Sequence, residues 1–225
     1  MRVIKSSRLR RLICVCVPCV LMPALIAISL LTGSYALTAL LAVVLSLILF
    51  MAGFDKRRVG TRRLVITVIM TALSVVGRFI PLIKPVTAFT IIAGIYLGSE
   101  SGFLTGALSA FLSNFYFGQG PWTPFQMFAW GIIGLLAGLL SKTFREHPLL
   151  LYVYGCVSGA LFSIIMDVWS VSVYGDGAFA ARYMASLITS LPFTLLYAVS
   201  NLIFLLLLNK PLGRKLIRIK KKYGV

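Results

Sequence analysis

The sequence predicts an all-α integral membrane protein of about eight transmembrane helices, a six-helix bundle preceded by an extra helical hairpin. Three observations predict it. Hydrophobic residues make up 60% of the 225-residue chain and charged residues only 12%, against about 25% charged in soluble domains. The apolar residues fall into eight runs, 12–31, 35–53, 64–83, 86–98, 101–117, 124–141, 149–174 and 182–209, most of them close to the roughly 20 residues that one crossing needs. The basic residues sit in short clusters between these runs. A soluble fold of this size cannot hide so much apolar surface. Lipid can, and it demands helices, because an exposed strand would leave backbone groups unpaired.

Taken in order, residues 1–11 form a basic cytoplasmic tail with Arg2, Lys5, Arg8, Arg10 and Arg11. Residues 12–53 read as the extra transmembrane hairpin. Its first run is longer than the roughly 7–15 residues of a signal core, so it reads as a retained anchor, although Ser34-Tyr35-Ala36 resembles a cleavage site. The six-helix core spans 64–209, and 210–225 is a second basic cytoplasmic tail. Within the core, 86–98 is short and joins the next run through Ser99-Glu100. That predicts a tight helical hairpin with a broken or tilted first arm. Alternating sides from an inner start puts nineteen of the 22 basic residues inside, as the positive-inside rule requires. Both termini are then cytoplasmic, and only Arg78, Lys84 and Arg182 fall on or near the outside.

The formal charge of +17 would suggest nucleic acid on a soluble protein, but its clustering between apolar runs points to the bilayer instead. No metal and no cofactor is expected. Cys14-x-Cys16-x-x-Cys19 lies in an apolar run without a histidine or carboxylate nearby, and His147, the single histidine, has no ligand partner at metal spacing. The chain carries no G-x-x-x-x-G-K-[ST] loop, so it cannot drive transport by ATP itself. One histidine and five acidic residues are too few for hydrolytic or proton-relay machinery, and the chain does not read as an enzyme.

Small residues mark where helices touch in lipid. Gly102, Gly106 and Ala110 share one face, Gly134 and Gly138 another, and Gly155, Gly159 and Ser163 a third. Four more residues along the first and third faces lead to Asn114 and Asp167, which should point into the bundle. A carboxylate in a membrane helix marks a functional site by default. Arg78 could pair with Asp167, snorkel to the outer interface or meet a ligand. Asn201 suits an interhelical hydrogen bond. The segment Gly118-Gln119-Gly120-Pro121-Trp122-Thr123-Pro124 concentrates turn formers among Tyr116, Phe117, Phe125 and Trp130, with Gln119 and Gln126 supplying amides. It reads as a ligand lid or pocket wall, an aromatic belt being the other explanation.

These residues carry a family resemblance. The run from Ile91-Ile92-Ala93-Gly94-Ile95-Tyr96-Leu97-Gly98-Ser99-Glu100-Ser101-Gly102 through Gly106-Ala107-Leu108-Ser109 to Asn114 resembles the second and third helices of energy-coupling factor (ECF) transporter S components. The stretch Gly118 to Gly131 is similar to a subgroup associated with cobalamin or corrinoid precursors. The resemblance spans about 64–209. It implies an S-component-like bundle that captures a vitamin-like substrate from outside and docks onto a transmembrane T subunit and two ATPase subunits. It also places Arg78, Asn114, Gln119, Trp122, Gln126, Trp130 and Asp167 toward the substrate face. The family often contacts the T subunit through two alanines four apart on its first core helix; here Thr67 and Thr71 stand in for them. A standalone secondary transporter and a non-transport membrane enzyme subunit are the competing readings.

Overall fold

The computed structural model describes residues 7–32, 35–52, 60–173 and 179–223. The described residues form helices and short turns, with no strand among them. The basic residues Arg2 and Lys5, the first part of the 56–63 cluster, the 33–34 junction and the loop at Gly175 lie outside the described residues. In chain order the elements are α1 (Ser7–Cys16), a π-helical turn (Val17–Leu21), α2 (Met22–Thr32), α3 (Tyr35–Ala52), α4 (Gly60–Gly77), α5 (Val86–Leu97), α6 (Ser99–Phe117), α7 (Trp122–Leu139), α8 (Ser141–Glu146), α9 (Pro148–Val173) and α10 (Phe179–Tyr223). The π turn contains Pro18, whose missing N–H breaks the regular ladder.

Among the described residues, three helices are long and apolar enough to cross a membrane by themselves, within Trp122–Leu139, Pro148–Ser172 and Phe179–Lys222. Shorter apolar helices cover Leu12–Ile28, Leu40–Leu49 and Val86–Leu97. Large apolar side chains such as Val68, Phe115, Leu149, Leu195 and Leu207 point outward, a surface that suits hydrocarbon and not water. This is an all-α membrane protein.

α5, α6 and α7 form the centre. α5 is only 12 residues, about 18 Å at the α-helical rise, too short for the roughly 30 Å hydrocarbon core. It is instead enclosed by its neighbours, with all of its residues but Tyr96 buried. The predicted hairpin between α5 and α6 is present, but it turns on Gly98 alone, at φ 105°; Ser99 and Glu100 already belong to α6. Only glycine takes that conformation without strain. The predicted small-residue faces meet one another. A Cβ on Gly94 or Gly102 would lie 2.3 Å from the Gly134 carbonyl oxygen, and one on Gly106 would lie 2.3 Å from that of Trp130. Backbones this close exclude any larger residue. Gly155 and Gly159 do the same for α9 against α10, where Leu205 and the Ala198 backbone fill the space.

α10 continues as one helix through 210–223, the segment expected as a basic tail. At about 67 Å it is twice the length of a crossing. Asn209 accepts a hydrogen bond from the Tyr96 hydroxyl at 3.2 Å, and Leu216 is buried, so the basic end lies against the bundle. At this same end Arg63 pairs with Glu100 at 2.9 Å and donates to the Ser101 hydroxyl at 2.8 Å.

Gly134→Val places a branched side chain where the Gly102 backbone now lies. Overpacking of this kind costs about 1–3 kcal/mol or more, so the midpoint of thermal unfolding in detergent should fall clearly. An unchanged midpoint would refute backbone contact between α6 and α7.

Candidate functional site

The polar residues gather at the end of the bundle opposite the Arg63–Glu100 pair, where α4, α6 and α9 finish and α5, α7 and α10 begin. Pro81 and Pro85 bound a short loop before α5. In it Leu82 takes φ 64°, a conformation non-glycine residues seldom adopt, and the Ile83 N–H closes the turn onto the Pro81 carbonyl at 2.7 Å. The Lys84 N–H donates to the Ser200 hydroxyl at 2.9 Å, and that hydroxyl donates back to the Lys84 carbonyl at 3.2 Å. The loop is thus stapled to α10.

A cavity of about 220 Å³ lies at this end, between the loop, the first turn of α5, α7, α9 and α10. Trp130 and Phe162 stack on each other in its wall at 4.8 Å with 24° between their planes, and Tyr197 meets Phe162 edge-on at 5.6 Å. Arg78, Lys84, Gln126, Ser163, Asp167, Ser190 and Asn201 supply the polar lining. A second hollow of about 330 Å³ lies between α9 and α10, lined by Ser170, Val171, Arg182, Ala185, Ser186 and Thr189.

Arg78 is the most constrained of these groups. It is 9% exposed, so it does not snorkel. One guanidinium nitrogen donates to the Ser113 hydroxyl and to Asn114 Oδ1, the latter at 2.7 Å. The guanidinium carbon lies 4.9 Å from the centre of the Phe117 ring and 5.1 Å from that of Trp130, within cation–π range. Asn114 is fully buried, as its packing face predicts. Its Nδ2 donates to Thr123 Oγ1 and to Gln126 Oε1, both at 2.9 Å. That fixes the Gln126 amide with its Nε2 donors free to face the cavity.

Asp167 is 6% exposed and also points inward. It does not pair with Arg78. Its two oxygens accept from the Ser186 and Ser190 hydroxyls, each at 2.8 Å, which ties α9 to α10. Thr194 continues this seam by donating to Ser163 at 2.7 Å. Asn201 donates to the Gly155 carbonyl at 3.0 Å, the interhelical bond its position suggests, and it also reaches the cavity lining.

Of the seven residues expected at the substrate face, Arg78, Gln126, Trp130 and Asp167 line the cavity. Asn114 stands behind them. Gln119 and Trp122 are not part of the lining. Gln119 spends its amide on the turn, donating to the Phe111 carbonyl at 2.9 Å and accepting from Thr123 at 3.0 Å. The Trp122 ring covers Gly120, where a Cβ would collide at 2.3 Å, and meets Trp169 edge-on at 5.6 Å. The 118–124 segment is therefore a rigid wall element that holds Asn114 and α7 in place. Thr67 and Thr71 are buried, with hydroxyls bonded back along α4 to the Arg63 and Thr67 carbonyls at 2.8 and 3.0 Å. The outward strip of α4 is Val65, Val68, Ile69, Ala72, Leu73 and Val76. Lys84, Phe162 and Tyr197 are lining residues that spacing did not single out. For Lys84 a signal existed: a lysine on the side the charge bias leaves nearly empty. For the two aromatics there was none, because apolar helices are full of them.

Fold and site together make this a helical membrane bundle with a partly polar, aromatic-walled cavity at one end. The sequence model of the family described as "ECF-type riboflavin transporter, S component" matches residues 58–214, about 70% of the chain, and the chain belongs to that family. No curated protein and no solved structure matches it.

Asn114→Leu keeps the volume but takes one of its two acceptors from the buried Arg78 and the donor to Gln126 Oε1. Each loss of this kind costs about 1–3 kcal/mol. The variant should unfold at a lower temperature than the parent in detergent; equal midpoints would show that Asn114 does not hold the site together.

Proposed function

We propose that this chain is the substrate-capturing subunit of an ECF-type transporter and that its substrate is a flavin-type aromatic vitamin, riboflavin by the family's description. The single observation that carries the reading is the cavity wall: stacked Trp130 and Phe162 beside fixed hydrogen-bond donors. A planar heterocycle gains most from such a wall, and amide and guanidinium donors suit ring carbonyls. The expected corrinoid substrate is less well supported. At about 220 Å³ the cavity sits just below the roughly 300–1,000 Å³ of pockets for drug-sized ligands. A tricyclic flavin needs only a slight opening of the α9–α10 seam, whereas a corrin macrocycle is several times larger.

In this reading the chain crosses the bilayer eight times with both ends inside, so the cavity faces outward. Arg78, Gln126, Trp130 and Asp167 contact substrate, Asn114 positions Arg78 and Gln126, and Gln119 and Trp122 build the wall. Binding closes the aromatic wall on the ligand; ATP turnover by two ATPase subunits, transmitted through the T subunit, then releases it inside. The T subunit would meet the outward apolar strip around Val68 and Ala72 on α4, since Thr67 and Thr71 face inward.

Titration of the purified chain with riboflavin, cobalamin and cobinamide tests the substrate. Riboflavin should bind and lose fluorescence on stacking, and Trp130→Ala should weaken it by roughly tenfold or more, about 1.4 kcal/mol. Binding of the corrinoids but not of riboflavin would overturn the flavin reading.

A further inference from the structure

The cavity's charge does not balance. Arg78 and Lys84 both line it, and Asp167 is the one acidic residue in the lining. The Asp167 carboxylate is already engaged by two serine hydroxyls and makes no ion pair with either cation. Arg78 uses one nitrogen on Ser113 and Asn114; its other N–H groups donate to no protein acceptor among the described residues. The Lys84 ammonium has no acidic partner there either, and lies 5.7 Å from the Phe117 ring centre. Burial, and after it the neighbouring Arg78, lowers the Lys84 ammonium below its ordinary value, as expected of a cation without a counter-charge. Val86 and Thr87, the first residues of α5, line the same end, so the positive end of that helix adds to the field. The Gln126 Nε2 donors face the same cavity. The lining thus holds two cations against one carboxylate that is already hydrogen-bonded to two hydroxyls, in a low-dielectric bundle where electrostatic interactions are strong.

We propose that the cavity selects a substrate bearing an acidic group, a phosphate or a carboxylate, held by Arg78 and Lys84 at the start of α5. The aromatic body of the ligand lies on Trp130 and Phe162, and its hydroxyl or N–H donors turn toward Asp167. This rests on the reading of the chain as a flavin-type capture subunit, and it sharpens that reading from a neutral flavin to an acidic one. Lys84 is then the specificity-determining residue, because Arg78 is partly committed to Asn114 and would serve neutral carbonyls as well.

The test is a titration of the full chain in detergent with three probes: riboflavin, riboflavin phosphate and a flavin bearing a carboxymethyl group. The acidic flavins should bind about tenfold or more tightly than riboflavin, roughly the effect of one charged contact. That preference should shrink in Lys84→Gln and return in Lys84→Arg. A phosphate-only preference identifies the acidic group, and a preference shared by both acidic probes shows that charge alone is read; either supports the proposal. Equal or tighter binding of riboflavin, or an acidic preference that Lys84→Gln leaves intact, overturns it while the flavin reading stands. Absence of binding by all three, with the chain still monodisperse and folded, overturns the flavin reading and the proposal together. A Lys84→Gln chain with a lowered unfolding midpoint is judged by Lys84→Arg, which must then keep the preference.

Discussion

A guanidinium enclosed by membrane helices is costly and must find acceptors within the bundle. Arg78 is that group here, and much of the site follows from housing it. Its position just past α4 requires an acceptor from α6, which Ser113 and Asn114 supply. Asn114 has donors to place in turn, and it places them on Thr123 and Gln126 at the start of α7. Thr123 then engages Gln119 and the Gly120 N–H. A single chain of hydrogen bonds thus runs from α4 through α6 into the 118–121 turn and α7. Each member polarises the next and none has room to rotate, so the orientation of Gln126 in the cavity is set by a residue that never reaches it.

Two kinds of helix contact surround this network, and the cavity lies between them. α5, α6 and α7 approach backbone to backbone through glycines, which leaves no space between them. α9 and α10 touch through Gly155 and Gly159, but farther along their seam turns polar, with Ser163, Asp167, Ser186, Ser190 and Thr194 bonded across it. In lipid such bonds hold helices together without a hydrophobic drive. A glycine seam has one arrangement. A hydroxyl seam can exchange partners, so in the proposed role α9 and α10 form the wall that parts for a ligand while the α5–α7 wall stays rigid.

How much of this was legible depended on whether a residue's role is set by helical spacing or by hydrogen bonds. Asn114 and Asp167 follow from extending small-residue faces by one turn, and both are buried as that rule requires. The hairpin follows from a short run joined to the next through Ser99-Glu100, although the turn itself falls on Gly98. Gln119 and Trp122 carry the same polar and aromatic signature as ligand contacts, yet their side chains serve the turn, and only the bond from Gln119 to Phe111 reveals it. Thr67 and Thr71 resemble a small-residue docking strip in spacing, but threonines in a helix readily bond back to the preceding turn and pack inward. Phe162 and Tyr197 were invisible, since a stacked wall is a property of α7, α9 and α10 together.

The acidic residues complete the polarity of the molecule. Glu100 pairs with Arg63, and Glu146 lies 4.0 Å from Lys142, so two of the five carboxylates are spent at the end that carries the basic α10 extension. At the other end Asp167 is held by hydroxyls, and its charge is not cancelled by Arg78 or Lys84. The ionic groups at the first end satisfy one another or face water and headgroups, which makes that end structural. Arg78 and Lys84 at the second end have no acidic partner among the described residues. Fixed but uncompensated charge, enclosed by aromatic walls, stabilises the empty protein poorly. A ligand that completes it is the physical rationale behind the proposed capture role of the cavity end, as against the larger basic surface at the other.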